Sequence, residues 1–372
     1  MINKKPFVKW AGGKEKEWPI IKENLPKEFS RYIEPFVGGG AVYLNINCSE
    51  SVINDKSDEL ILLYKLIKKG DQEFYKSLEE INKNWILLEK IVETNSKELI
   101  ALYSEYKNNN SLLKELIDKF MKKHSKDFNI LLRDEVDINL YNLFIEFEKN
   151  LESKISRMLK IEIQKGEMCE NDVLSNIETA FKSAYYMYFR YLYNNNVKLK
   201  LSDSFYCAVF YFIRDYCYAS MFRYNANGEF NVPYGGISYN RKDFAKKIDY
   251  LKSEDLREYM KNTKIYNLDF ENFCNKIELT ENDFMFLDPP YDTEFSTYAK
   301  NDFDKNDQAR LANYLKNTKA KFMLVIKNTD YIYNLYKDSG FNIMSFDKKY
   351  LVSFMNRNDK KVEHLLITNY DI

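Results

Sequence analysis

The residues with the clearest chemical content are Asp288, Pro289 and Tyr291, in the run Phe284-Met-Phe-Leu-Asp-Pro-Pro-Tyr291. Four apolar residues without polar alternation read as a short strand buried on both faces, as found inside a parallel sheet. The two prolines cannot donate ladder hydrogen bonds, so pairing ends there and the backbone turns outward. This sets a carboxylate, a proline carbonyl and an aromatic ring at the carboxyl end of a sheet, where open α/β sheets hold their ligands. Taken alone, the run fits an ordinary strand-ending turn that carries an acid equally well.

Other stretches repeat the design. Lys9-Trp-Ala-Gly-Gly-Lys14 sets paired glycines between Trp10 and Lys14. Arg31-Tyr-Ile-Glu-Pro-Phe-Val-Gly-Gly-Gly-Ala-Val-Tyr-Leu44 reads as a short strand, a glycine turn and an apolar run suited to opening a helix. Glycines in such a turn let the backbone approach a ligand and expose its amides. Ser51-Val-Ile-Asn-Asp55 is a second strand ending in an acid, fifteen residues beyond Gly40. Nucleotide-binding βαβ units place the acid that bonds the ribose hydroxyls near this distance. Asp55 also fits a plainer role as cap of a helix at 56–68. Thr263-Lys-Ile-Tyr-Asn-Leu-Asp269 supplies one more strand-end acid.

A glycine turn, Asp55, Asp269 and Asp288 at successive strand ends describe a doubly wound α/β sheet with a nucleoside-bearing cofactor along its carboxyl edge. The turn lacks the Gly-Lys-Ser/Thr ending of a phosphate loop, and Tyr43 stands where a dinucleotide fingerprint has its third glycine. S-adenosylmethionine fits better. It needs no pyrophosphate cradle, only room for its amino-acid end near the glycines, an acid for the ribose and a polar group for the adenine.

Composition narrows the remaining classes. With 45% hydrophobic and 16% aromatic residues, the 372-residue chain is globular and long enough for one large domain or two moderate ones. Lys+Arg and Asp+Glu both number 56, so any basic surface for a polyanion must be local. No stretch reaches the ~18 uninterrupted apolar residues of a membrane span. The opening Met-Ile-Asn-Lys-Lys-Pro has no signal-peptide core, and five cysteines without CxxC spacing read as reduced thiols, so a cytoplasmic location is expected. Two distant histidines, His124 and His364, argue against a zinc site or a Ser-His-Asp triad, and no metal is expected.

Several elements must position these residues. Residues 71–182, with no proline and a single glycine at 166, read as a mainly helical insertion whose charge runs are solvated faces. The aromatic-rich stretch 184–213 reads as helical core. It leads into Tyr218-Ala-Ser-Met-Phe-Arg-Tyr-Asn-Ala-Asn-Gly-Glu-Phe-Asn-Val-Pro-Tyr-Gly-Gly236, a polar, aromatic loop with one arginine that suits a recognition surface. A helix at 305–316 and strands at 322–326, 341–346 and 364–368 close the chain, with a basic polar segment at 348–361 between the last two. The expected organisation is a catalytic core from 1–70 and 255–372, the insertion at 71–182 and a target-recognition region at 183–254.

The order Lys9-Trp-Ala-Gly-Gly-Lys14, Glu34-Pro-Phe-Val-Gly-Gly-Gly40, Asn54-Asp55, Arg223-Tyr-Asn, Gly228-Glu-Phe-Asn-Val-Pro-Tyr-Gly235 and Asp288-Pro-Pro-Tyr291 resembles the Dam-type DNA adenine-N6 methyltransferases. The resemblance covers roughly 5–70 and 184–372 and skips the insertion. It implies a Rossmann-like methyltransferase sheet and S-adenosylmethionine held by Trp10, Lys14, Phe36, Gly38, Gly40, Asp55, Asp269 and Asp288. It also implies double-stranded DNA as partner, contacted by Lys9, Tyr218, Met221, Arg223 and Pro233, with Arg190 on a phosphate.

The chemistry follows from the amino group such an enzyme attacks. An exocyclic adenine nitrogen is a poor nucleophile because its lone pair is delocalised into the ring. The Asp288 carboxylate and Pro289 carbonyl can accept both of its hydrogens and localise that pair, while Tyr291 stacks on a base flipped from the duplex. Direct transfer needs no covalent intermediate, and no cysteine here follows a proline as the nucleophile of cytosine-C5 enzymes typically does. Retention of Lys9 and Arg223 implies a core such as GA or GAT, while the neighbours of Arg223 depart from the usual GATC-reading pattern. The setting is a restriction-modification or orphan enzyme, a monomer, with any endonuclease on a separate chain. An N4-cytosine methyltransferase uses the same two acceptors and stays open at this point, as does a DNA-binding protein of this fold without turnover.

Overall fold

The structure, a computed structural model of the chain, describes residues 4–10, 12–130, 140–291, 303–349 and 361–371. Two compact units divide it: Met1–Gly70 with Glu254–Ile372, and Asp71–Ser253.

The first unit is built on a seven-stranded sheet of β1 (Arg31–Glu34), β2 (Glu50–Asn54), β3 (Thr263–Tyr266), β4 (Asp283–Leu287), β5 (Lys321–Lys327), β6 (Asn342–Lys349) and β7 (Lys361–Thr368). Their order is β3-β2-β1-β4-β5-β7-β6. Strands β3 to β5 are parallel across that order, and β7 runs antiparallel to both β5 and β6. The chain winds outward from β1 to β3 and then returns to add β4 on the other side of β1. That reversal makes the carboxyl ends of β1 and β4 the crevice of the sheet. The apolar strand read at 284–287 is fully enclosed, with Phe284, Met285, Phe286 and Leu287 all at 0% exposure. Burying each such side chain contributes about 1.5–3 kcal/mol, which is why this strand sits at the centre.

The apolar run after the glycine turn does not open a helix. It makes one 3-10 turn, Tyr43–Asn45, and Ile46 is already extended. The Tyr259 hydroxyl donates to the carbonyls of Tyr43 and Ile46, satisfying acceptors that helix continuation would otherwise have used. The helix expected after Asp55 is present as Asp58–Lys69, capped by Ser57.

The second unit is helical. Gln72–Thr94, Glu170–Asn194 and Asp203–Tyr216 pack on one another, and Leu140–Lys165 lies along Glu170–Asn194. Trp85 sits at the centre, with ring centroids 4.5 Å from Tyr216 and 5.6 Å from Phe212 and Tyr234. The helix Glu170–Asn194 runs unbroken through residue 182, where the sequence reading set a boundary.

At the amino ends of β1 and β4, Arg31 grips Asp283 with two hydrogen bonds of 3.0 and 2.8 Å and also donates to the Glu278 carbonyl. Burial pushes the Asp283 carboxyl up, but the Arg31 guanidinium and the Thr280 amide outweigh it and hold it below the usual carboxylate range. A carboxyl depressed in the folded state stabilises above its unfolded value, and that contribution is lost as pH falls through the folded value. Asp283→Asn should therefore cost about 1.5–3 kcal/mol of unfolding free energy at neutral pH. The deficit should shrink as pH drops below about 4. Urea unfolding across pH measures this, and a deficit independent of pH would assign the loss to packing instead of charge.

Candidate active site and recognition loop

Four strand ends meet at the carboxyl edge of the sheet. The turn after β1 is anchored on the acid after β2: the Gly38 amide donates to Asp55 Oδ2 at 3.0 Å, and Asp55 Oδ1 accepts from the Ser57 amide at 2.9 Å. Asp55 is thus a brace between the glycine turn and the next helix, whose cap is Ser57. Burial raises its carboxyl, and the amide bonds of Ser57, Gly38 and Lys56 work against that rise. Asn54 ties the same region together, donating to the carbonyls of Pro35 and Leu268, both at 3.0 Å.

The turn requires its glycines. Gly38 has φ of +51°, and a Cβ there would lie 3.0 Å from the Trp10 ring, so Trp10 is laid directly across the turn. At Gly40, with φ of +81°, a Cβ would stand 2.5 Å from the Tyr64 hydroxyl, which itself donates to the Gly38 carbonyl at 3.0 Å. Both positions combine a left-handed backbone with no room for a side chain.

The turn after β4 carries the densest chemistry. Lys14, only 2% exposed, forms an ion pair with Asp288. Its ammonium also donates to the Gly12 carbonyl at 2.8 Å and to the Tyr291 hydroxyl at 3.1 Å. Lys14, expected among the cofactor residues, joins Asp288 to Tyr291. Pro289 is buried between them in sequence, and the Pro290 carbonyl accepts from the Gln308 amide at 3.0 Å, which fastens the turn to the helix Lys305–Asn317.

Phe36 and Asp269 line the same edge further out. The Phe36 ring lies 5.6 Å from both Phe270 and Phe303. Asp269 caps the helix Phe270–Lys276 and accepts from Arg310 at 2.8 Å. Burial pushes the Asp269 carboxyl up, but Arg310 and the cap amides outweigh it and hold it low. Arg310 in turn stands over the Phe270 ring at 4.9 Å.

Three residues here carried no signal strong enough to single them out. Glu34, at the end of β1, is 2% exposed and accepts from the Tyr32 hydroxyl at 2.6 Å. Burial pushes its carboxyl well up; Tyr32 opposes this, and the charges of Asp288 and Asp55 add to it. His364, fully buried on β7, meets the Tyr291 hydroxyl at 3.1 Å. Gln308 is the third. Glu34 stood inside a quoted motif and His364 is one of two histidines, but nothing local marked Gln308.

The recognition loop belongs to the second unit. Phe222 points inward, stacked on Phe230 at 4.3 Å and covered by Arg214 at 4.4 Å. Strand-like alternation then turns Arg223 outward, where its Nε reaches Asn231 Oδ1 at 3.4 Å. Tyr218 and Pro233 are exposed and joined by an amide-to-carbonyl bond of 2.8 Å. Met221 is half-buried, and Arg190 is half-buried with a bond of 3.3 Å to the Asn231 carbonyl. Between Tyr218 and Met221, Ala219 and Ser220 hold φ of 52° and 53°, a left-handed kink that side chains other than glycine rarely adopt.

Residues of the helical insertion hold this loop. Lys182, at 0% exposure, donates to the Asn240 carbonyl at 2.8 Å and pairs with Glu178 at 2.7 Å and Glu89 at 3.2 Å. Outside the insertion, Tyr234 donates to Asn240 Oδ1 at 2.8 Å and Tyr186 to the Val232 carbonyl at 2.9 Å. Lys9, in the first unit, is exposed beside Trp10. Most of the basic segment at 348–361 lies outside the described residues. Among the described residues no helix is long and apolar enough to cross a membrane, and no cluster of His, Cys, Asp and Glu has metal-binding geometry.

Comparison with known proteins identifies the family of the chain. Residues 10–171 and 162–352 match the D12 class N6 adenine-specific DNA methyltransferase family. The type II methyltransferase M.CviBI of Paramecium bursaria Chlorella virus NC1A is 27% identical over 372 residues, spanning 98% of this chain and 100% of that protein. The type II methyltransferase M.MjaIII of Methanocaldococcus jannaschii is 27% identical over 387 residues, spanning 98% and 99%. The DNA adenine methylase of Escherichia coli is 38% identical over a shorter stretch of 81 residues, 22% of this chain and 29% of that protein. With the family match spanning most of its length, this chain belongs to the D12 class N6 adenine-specific DNA methyltransferases.

Proposed function

We propose that this adenine-specific DNA methyltransferase takes its methyl group from S-adenosylmethionine and acts on an adenine flipped out of duplex DNA, with Asp288, Pro289 and Tyr291 as the reacting centre. The observation that carries the reading is the meeting of Lys14, Asp288 and Tyr291 at the switch point between β1 and β4. The Asp288 carboxylate and the Pro289 carbonyl accept the two hydrogens of the adenine amino group and direct its lone pair out of conjugation. Lys14 orients the carboxylate, and Tyr291 stacks on the base. Preorganised acceptors of this kind act by positioning and electrostatics, without a covalent step.

The carboxyl edge also fits the proposed methyl donor. Trp10 across the Gly38 turn, the side-chain-free turn of Gly38 and Gly40, the Asp55 carboxylate as an acceptor and the Phe36 ring as an apolar face offer what its amino-acid end, ribose and adenine require. Asp269 joins them as the adenine contact, sharing its carboxylate with Arg310. When bound, S-adenosylmethionine supplies an electrophilic methyl on a sulfonium. The family is adenine-specific, so the N4-cytosine alternative is set aside.

For the DNA, Arg223, Tyr218, Met221 and Pro233 read the target from their loop, Lys9 contacts it from the opening segment, and Arg190 contacts a phosphate. The insertion that holds this loop is part of the same recognition unit. A GA or GAT core is the proposed target. Two relatives matched end to end are named type II methyltransferases, which supports a restriction-modification setting with the endonuclease on a separate chain.

Tritiated S-adenosylmethionine incubated with mixed duplex DNA should label N6-methyladenine, and label on another base or none at all would overturn the reading. Asp288→Ala should abolish turnover while duplex binding persists in a gel-shift assay; loss of both together would make Asp288 structural. Arg223→Ala should relax site preference by about 1–3 kcal/mol, the discrimination of a bidentate base contact. Mapping methylated sites tests this, since an equal loss of affinity on every sequence would assign Arg223 to phosphate.

A further inference from the structure

The structure assigns His364 a positioning role in methyl transfer: its Nε2 accepts the Tyr291 hydroxyl hydrogen and so fixes the ring that faces the target base. This rests on the reading of Tyr291 given above. The Lys14 ammonium carries donors only. The 3.1 Å contact between Lys14 and the Tyr291 oxygen therefore has the tyrosine as acceptor. His364 Nε2 also lies 3.1 Å from that oxygen and is the acceptor assigned to the hydroxyl hydrogen. That bond forms only when Nε2 keeps its lone pair, so the assignment requires the ring hydrogen on Nδ1.

The setting makes the arrangement rigid. His364 is at 0% exposure and stands in the ladder, opposite Lys327 of β5 and Phe346 of β6. Because β7 is antiparallel to β5, its first half lies at the carboxyl edge, beside the turn after β4. Its ring meets Tyr291 edge-on at 5.5 Å, with Phe346 at 5.8 Å. Tyr291 is thereby held at its hydroxyl and along its ring edge. With the opposite tautomer, Nε2–H and the Lys14 ammonium would both donate to one oxygen, and the hydroxyl hydrogen would lose this acceptor.

Two substitutions separate the hydrogen bond from the packing. His364→Phe keeps the ring and removes the acceptor, whereas His364→Gln restores an acceptor near the Nε2 position. We expect His364→Phe to lower kcat by roughly tenfold, the cost of one lost oriented hydrogen bond, with KM for S-adenosylmethionine unchanged. His364→Gln should recover most of that loss. Full activity of His364→Phe, or equal impairment of both variants, would overturn the role. The chain has two histidines, so 15N spectra of the parent protein and of His124→Gln assign the His364 ring nitrogens directly. An unprotonated Nε2 is expected, and an Nε2–H signal would overturn the inference even if neither variant folds. Should Asp288→Ala retain turnover, the underlying reading fails while the tautomer result stands on its own.

Discussion

A lysine at 2% exposure must be surrounded by acceptors, and Lys14 has a carboxylate, a carbonyl and a hydroxyl. Removing one partner of a buried ion pair leaves an uncompensated charge, typically costing about 3–5 kcal/mol. The opening segment, the turn after β4 and the side chain of Tyr291 are thus constrained by one ammonium group. Tyr291 passes the constraint to His364 and so to β7, on the far side of β5. A single cation with directed donors fixes the Asp288 carboxylate and the Tyr291 hydroxyl more sharply than apolar contact would.

The glycine turn is governed by a different constraint, the lack of space. Trp10 closes over Gly38 and Tyr64 over Gly40, while Asp55 takes the Gly38 amide. The turn is therefore rigid and still presents backbone to the crevice. Glu34, buried beside it with its carboxyl pushed well up, sits within the field of Asp55 and Asp288.

Much of this edge was legible in the sequence because strand-end acids and glycine turns are local patterns. The four apolar residues before Asp288 and the acid at 55 follow from breakers and spacing, whereas Arg223 was marked only by loop composition and resemblance. The pairing of Lys14 with Tyr291 spans 277 residues and depends on β4 inserting beside β1, which no local pattern encodes. His364 was hidden for a related reason: its role comes from the antiparallel register of β7, and a lone histidine in an apolar strand looks like core. The helix expected after the glycine turn failed because a distant hydroxyl, that of Tyr259, takes the carbonyls that would have propagated it. The insertion carried no legible chemistry, since the value of Trp85, Glu89, Glu178 and Lys182 lies in what they hold.

Each unit uses a buried lysine in the same way. Lys182 in the helical unit, like Lys14 in the sheet unit, gathers acceptors from elements far apart in sequence and holds a turn that must keep its shape. Apolar replacements of buried ion pairs are often neutral or better for stability, so stability alone does not account for these two lysines. What no apolar side chain can do is hold a carbonyl and two carboxylates at set distances. In the helical unit that geometry fixes the Asn240 end of the loop whose other end turns Arg223 outward. The insertion supplies the two carboxylates and the ammonium of that arrangement, so the shape of the loop depends on helices that precede it in the chain.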